Sequence, residues 1–215
     1  VTLAVSQVND APVAVTDRVE MEEDTSVSLN PVANDTDVDT DAALNAIPMD
    51  APVLVSVGTP THGTATMEGG QITYTPRADY NGSDAFTYTI SDGTVSRTGT
   101  IHVTVTQVND QVQPVNDEAT TTDEDAITID VLKNDFDVDN DKSLNLGTLH
   151  TTADYEIVLV GEAAHGTTEI SDGKIIYTPE DTFNGVDGFT YTMSDGHGSS
   201  ASATVAVTVL SENDP

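Results

Sequence analysis

A block of twelve residues occurs twice, and that duplication limits the folds open to the chain. Gly82-Ser-Asp-Ala-Phe-Thr-Tyr-Thr-Ile-Ser-Asp-Gly93 returns as Gly185-Val-Asp-Gly-Phe-Thr-Tyr-Thr-Met-Ser-Asp-Gly196. Tyr74-Thr-Pro76 returns as Tyr177-Thr-Pro179, and His62-Gly-Thr64 as His165-Gly-Thr167. An Asn-Asp pair marks the joins at Asn9-Asp10, Asn109-Asp110 and Asn213-Asp214. Self-similarity at a fixed period means one folding unit used repeatedly. The reading is a repeat over 11–110 and a second over 111–215. Residues 1–10 read as the last strand and linker of a preceding repeat, because Val1 to Val8 match Ile101 to Val108. The chain is therefore expected to be an excerpt of a longer array.

Each repeat reads as strands. Those of the first are expected near 13–21, 26–32, 53–59, 63–68, 71–76, 84–91 and 98–107. Phe86, Tyr88 and Ile90 alternate with Thr87 and Thr89, and Ile101, Val103 and Val105 alternate with Thr100, His102 and Thr104. That period of two puts one set inside and the other outside. Gly69-Gly70 and Asp172-Gly173 are two-residue hairpin turns. Seven short strands in about 100 residues predict an all-β chain of two tandem, seven-stranded antiparallel Greek-key sandwiches of the cadherin or immunoglobulin kind. The stretches 42–52 and 143–154 fit no strand pattern and are open to a loop or a short helical turn.

The second constraint is charge. Thirty-seven acidic residues face six basic ones, for a net charge of −31. Nothing here could meet a phosphate backbone, so nucleic acid and anionic lipid are not expected partners. No apolar stretch approaches 18 residues, so membrane insertion is not expected. Cysteine is absent, so disulfides cannot staple these small cores and a bound metal is the remaining device.

Much of the charge is patterned. Asn34-Asp-Thr-Asp-Val-Asp-Thr-Asp41 returns as Asn134-Asp-Phe-Asp-Val-Asp-Asn-Asp141, with carboxylates at alternate positions. One like-charged pair at about 4 Å costs roughly 4 kcal/mol at an effective dielectric near 20. Ca²⁺, which takes six to eight oxygen ligands in flexible geometry, is the expected neutraliser. The run is not an EF-hand, since the glycine at the sixth loop position and the glutamate at the twelfth are missing. An acidic surface adapted to salt is the competing reading, and it suffices for scattered residues such as Glu20, Glu68 and Glu162.

The strand order places these groups at two poles. The run beginning at Asp35 lies where the chain enters a sandwich, together with the Ser91-Asp92-Gly93 turn. Glu23, Asp24 and Asp84 fall at the exit pole. Stacking repeats end to end would collect Glu23, Asp24 and Asp84 with Asn109, Asp110, Asp135, Asp137 and Asp139. Asp10, Asp35, Asp37 and Asp39 form the corresponding half-site of the first repeat. A self-contained loop site within each run is also open.

As a set, Asn9-Asp-Ala-Pro12, Glu23-Asp-Thr25, Asn34-Asp-Thr-Asp-Val-Asp39, Thr61-His-Gly63, Tyr74-Thr-Pro76, Tyr80-Asn-Gly82 and Phe86 to Gly93 resemble the bacterial cadherin-like, immunoglobulin-like repeat of large RTX-type adhesins exported by type I secretion. The resemblance covers both copies, with Phe183 in place of Tyr80. It implies a calcium-stiffened extender of a secreted, cell-surface, biofilm-forming adhesin: monomeric, non-enzymatic, with neighbouring repeats of its own chain as partners. The glycine-rich nonapeptide calcium repeat of such proteins is missing here. Two alternatives stand beside this one: a glycan- or ligand-binding module using 42–52 or 143–154, and an accessory domain of a large secreted enzyme. The histidines His62 and His165 read as turn residues.

Overall fold

Alternating threonine and large apolar residues have one stable arrangement: paired strands with the apolar parity facing a second sheet. The computed structural model describes residues 8–38, 51–140 and 155–212 and has that arrangement. The chain divides into two units, Val1–Val108 and Asn109–Pro215. Residues 1–7, read above as a preceding strand, lie outside the described residues, as do Asp39 and most of 42–52 and 143–154.

The first unit contains β1 (Asp17–Glu22), β2 (Val27–Leu29), β3 (Val53–Val57), β4 (Gly63–Glu68), β5 (Gln71–Pro76), β6 (Gly82–Ser91) and β7 (Ser96–Thr106). The second contains β8 (Asp117–Thr122), β9 (Ile127–Ile129), β10 (Glu156–Val160), β11 (Gly166–Ser171), β12 (Lys174–Pro179), β13 (Gly185–Ser194) and β14 (Ser200–Leu210). One sheet runs β1-β7-β6-β3 and faces a second, β2-β5-β4; the other unit repeats this as β8-β14-β13-β10 and β9-β12-β11. All-β tandem sandwiches are thus what the chain forms.

One pairing departs from the antiparallel rule. β1 lies parallel to β7, from Asp17 opposite Ile101 to Glu22 opposite Thr106, and β8 lies parallel to β14. Both members of each pair run from entry to exit, and five intervening strands supply the long connection that a parallel pair needs. β3 and β10 each carry a register shift, between Leu54 and Ser56 and between Ile157 and Leu159.

The core follows the parity. Tyr74, Tyr88, Ile90, Ile101 and Val103 are buried in the first unit, and Tyr177, Tyr191, Met193, Val205 and Val207 in the second. Gly69, Gly70, Asp172 and Gly173 all have positive φ, as two-residue hairpin turns of the primed type require.

Candidate metal centre

At the entry pole of the second unit the acidic run is not a strand. Phe136 exchanges backbone hydrogen bonds with Gln113, and a 3-10 turn follows over Val138–Asn140. The turn deals the alternate aspartates to different partners. Asp135 points back to the sandwich, accepting the Val115 amide at 2.8 Å, with the Tyr191 hydroxyl 2.9 Å from each of its oxygens. Burial pushes the Asp135 carboxyl up, against the lowering effect of these bonds. The neighbouring Asp117 is also raised, by burial and then by the Asp135 charge.

Asp139 turns the other way, toward the linker, while Asp137 is bonded within the run. Asp137 and Asp139 are 1% and 5% exposed. The Asp139 amide donates to Asp137 Oδ1 at 3.0 Å, and Asp139 Oδ2 accepts the Asp110 amide at 2.7 Å. Asn109 Nδ2 donates to Asp195 Oδ2 at 2.8 Å, and the Val112 amide to Ser199 Oγ at 3.0 Å. This pole therefore brings Asn109, Asp110, Asp137 and Asp139 together and leaves Asp135 out. The Asn109 amide group is engaged by a carboxylate and by the Asp110 carbonyl.

The first unit repeats the pattern. Asn9 Nδ2 donates to Asp92 Oδ2 at 3.1 Å. Asp35 accepts the Val15 amide at 2.7 Å and lies 3.0 Å from the Tyr88 hydroxyl, so it too is turned to the core. Asp10, Asp35 and Asp37 line one cleft with Val13 and Val38.

The exit pole of the first unit holds Glu23, 2% exposed. Its Oε1 accepts the Val108 amide at 2.8 Å while its own amide donates to the Thr106 carbonyl. Asp24, at φ 55°, accepts the Asp79 amide at 3.1 Å. In the second unit Asp123 accepts the Glu212 amide at 2.8 Å and donates its own to Leu210, so the grip on the outgoing chain recurs with a side chain one methylene shorter.

Asp84 has a different employment. Its Oδ1 accepts the amides of Thr61 (3.1 Å) and Ala85 (2.8 Å), and its Oδ2 the His62 amide (2.8 Å) and the Tyr74 hydroxyl (3.0 Å). A carboxylate has about four lone-pair positions, and all four are used. Asp187 does the same with Ala164, Gly188, His165 and Tyr177. Burial pushes the Asp187 carboxyl up, but the four bonds together hold it below its usual range. Asp84 is thus a pin inside the sandwich. Its register opposite Val103 puts it at the exit end, where the sequence reading placed it, and its parity gives the inward direction: Asp84 is in phase with Phe86 and Tyr88.

The histidine turns carry one further feature that parity could not reveal. His62 stacks on Tyr80 with centroids 4.3 Å apart, and His165 on Phe183 at 4.1 Å. Arg77 donates to His62 Nδ1 at 2.8 Å, whereas His165 faces Glu180 at 3.6 Å.

The donors gathered at both poles are carboxylates and amides, with no thiol in the chain. Hard oxygen donors of this kind fit Ca²⁺ and disfavour zinc or copper. No helix among the described residues is long and apolar enough to cross a membrane.

Comparison with known proteins agrees with this architecture. Protein GAMETE EXPRESSED 2 of Arabidopsis thaliana is 33% identical over 81 residues, which is 38% of this chain and 8% of that protein's length. The human protocadherin-24 EC1-2 structure (Form II) superposes with a TM-score of 0.53 at 16% identity, covering 96% of this chain and 100% of that one. Human CDH23 EC21-23 gives 0.51 at 16% identity, covering 91% and 67%. At such identities the likeness is one of fold. The bacterial Ig domain model matches twice, over residues 9–106 and 109–208. The chain belongs to the bacterial Ig domain family, of which it holds two consecutive copies.

Proposed function

We propose that the two units are spacer repeats of a bacterial cell-surface adhesin, and that Ca²⁺ bound where they join stiffens the array. One observation carries this reading. Glu23 holds the Val108 amide and Asp139 holds the Asp110 amide, at 2.8 and 2.7 Å. Those two amides are two residues apart, so covalent geometry alone keeps their nitrogens within about 7 Å. Two buried carboxylates, one from each unit, are thereby tied to the same short piece of chain. In this proposal one ion, at calcium–oxygen distances of about 2.3–2.6 Å, would draw on both.

The proposed ligands are Glu23, Asp110, Asp137 and Asp139, with Asp24 beside them. Asp84 is left out because four protein donors fill its oxygens, and Asp135 because it faces Val115 and Tyr191 rather than the linker. Asp10 and Asp37 would make the matching half-site for an upstream repeat. The role is mechanical rather than catalytic. The repeats act outside the cell as a monomeric chain whose partners are its own neighbours. Without the ion, carboxylate repulsion keeps the junction open and suits export through a type I system; in millimolar external Ca²⁺ the array becomes a rod.

Calorimetry and thermal unfolding on EDTA-treated protein test the reading. Heat of binding and a raised Tm are expected. No heat and no shift up to ~10 mM Ca²⁺, the weak end for extracellular modules, would sink it.

A further inference from the structure

Each unit holds the linker by hydrogen bonds of its own, and these need no metal. On the upstream side the grip ends at Val108, whose amide is bound by Glu23 Oε1. On the downstream side it begins at Asn109, whose side chain is bound by Asp195, and continues through Asp110 on Asp139 and Val112 on Ser199. The same devices appear at the outer ends. Asn9 is clamped by Asp92, and the Glu212 amide is bound by Asp123. A feature reproduced at both ends of both units belongs to the repeat.

We propose that the swivel between consecutive units is confined to the backbone of two residues, Val108 and Asn109, and that this confinement is present with or without a cation. Each residue has two soft backbone dihedrals. Upstream of them the chain is fixed to the first unit, and downstream it is fixed to the second. Residue type narrows the swivel further. Val108 is β-branched, which restricts its backbone and favours extended conformations. The Asn109 side chain is clamped to Asp195 and the next amide, Asp110, is held by Asp139, so the Cα–Cβ bond and the following peptide of Asn109 share one frame and ψ of that residue is restrained. The remaining freedom lies in φ and ψ of Val108 and φ of Asn109. Reorientation in calcium-free protein would then take place about those bonds and not along the rest of the linker. The inference stands apart from the calcium reading, since every bond it uses lies within one unit and is made by protein atoms.

Hydrogen exchange in EDTA tests it by NMR on the two-unit chain. The Val108 and Asp110 amides are expected to exchange about tenfold or more slower than in a free peptide. Glu23→Gln keeps an oxygen that can accept from Val108 and should retain that protection, whereas Glu23→Ala should lose it at Val108 alone. Spin labels placed on the outer faces of β6 and β13 give the second measurement in the same calcium-free buffer. Val108→Gly should broaden the distance distribution, and Gln111→Gly, exposed and lying between the held amides of Asp110 and Val112, should not. Free-peptide exchange at both amides, or equal broadening by the two glycine variants, overturns the proposal. Calcium titration of Glu23→Gln separates the two ideas: loss of affinity with retained protection supports both, and retained affinity with retained protection sinks only the calcium ligand assignment.

Discussion

The Tyr74 hydroxyl donates to Asp84 Oδ2 at 3.0 Å and so ties β5 to β6, strands that belong to opposite sheets. Tyr177 and Asp187 make the same bond at 2.9 Å. A charged acceptor placed where the sandwich would otherwise be apolar is tolerable only because its lone pairs are filled.

Removing that acceptor strands four donors at once. Asp84→Ala is expected to destabilise the first unit by about 3 kcal/mol, the scale of losing one side of a buried charged network. Asp84→Asn keeps one carbonyl oxygen and should cost less. Urea unfolding with the tyrosines as the signal measures both.

Acid sensitivity should trace to the equivalent residue of the second unit. The folded-state value of Asp187 lies below its ordinary 3.8, burial being outweighed by its four hydrogen bonds. A depressed carboxylate contributes stability that is fully present above the unfolded value and is lost as pH falls through the folded value. Asp187→Asn should lower stability at neutral pH and flatten its decline below about pH 4. Unfolding curves across pH 2–7 would record this; an unchanged acid limb would count against it.

Asp117 and Asp135 predict the opposite sign. Burial and their mutual charge raise Asp117, and burial raises Asp135. A raised carboxyl stabilises below its unfolded value and loses that contribution as pH rises through the folded one. Asp117→Asn removes one of the two charges. The expected gain is about 1 kcal/mol at neutral pH, the size of one net hydrogen bond, vanishing at acid pH. Differential scanning calorimetry at two pH values gives the comparison.

Calcium affinity should separate the aspartates of one run. Asp139→Asn is expected to weaken binding about tenfold or more, roughly 1.4 kcal/mol. Asp135→Asn, whose partner is Tyr191, should change affinity far less while altering stability. Equal losses of affinity in the two variants would mean that the run acts as one loop.

The strands and their inward residues were legible because a period of two leaves little choice: Phe86, Tyr88 and Ile90 must share a face, and they do. The same rule failed for Asp135, Asp137 and Asp139. They look equivalent in sequence, but the chain there bends into a 3-10 turn at Val138–Asn140, so alternate positions no longer face one way. Asp84 does lie at the exit end of β6, opposite Val103 near the end of β7, but the four protein donors that fill it left no trace in local pattern. The parallel partner of β7 was not legible at all. Pairing direction depends on which strand closes the sheet edge, and local pattern carries no trace of that.

That parallel pair has a mechanical meaning. Within one unit, tension enters at the start of β1 and leaves at the end of β7, and the two strands run the same way over Asp17–Glu22 and Ile101–Thr106. Pulling from those ends slides one strand along the other. The bonds of all six residue pairs then bear the load together, whereas a hairpin pulled from its open end would yield one rung at a time. Once the clamps outside it have given way, that pair is thus among the hardest contacts in the unit to break piecemeal.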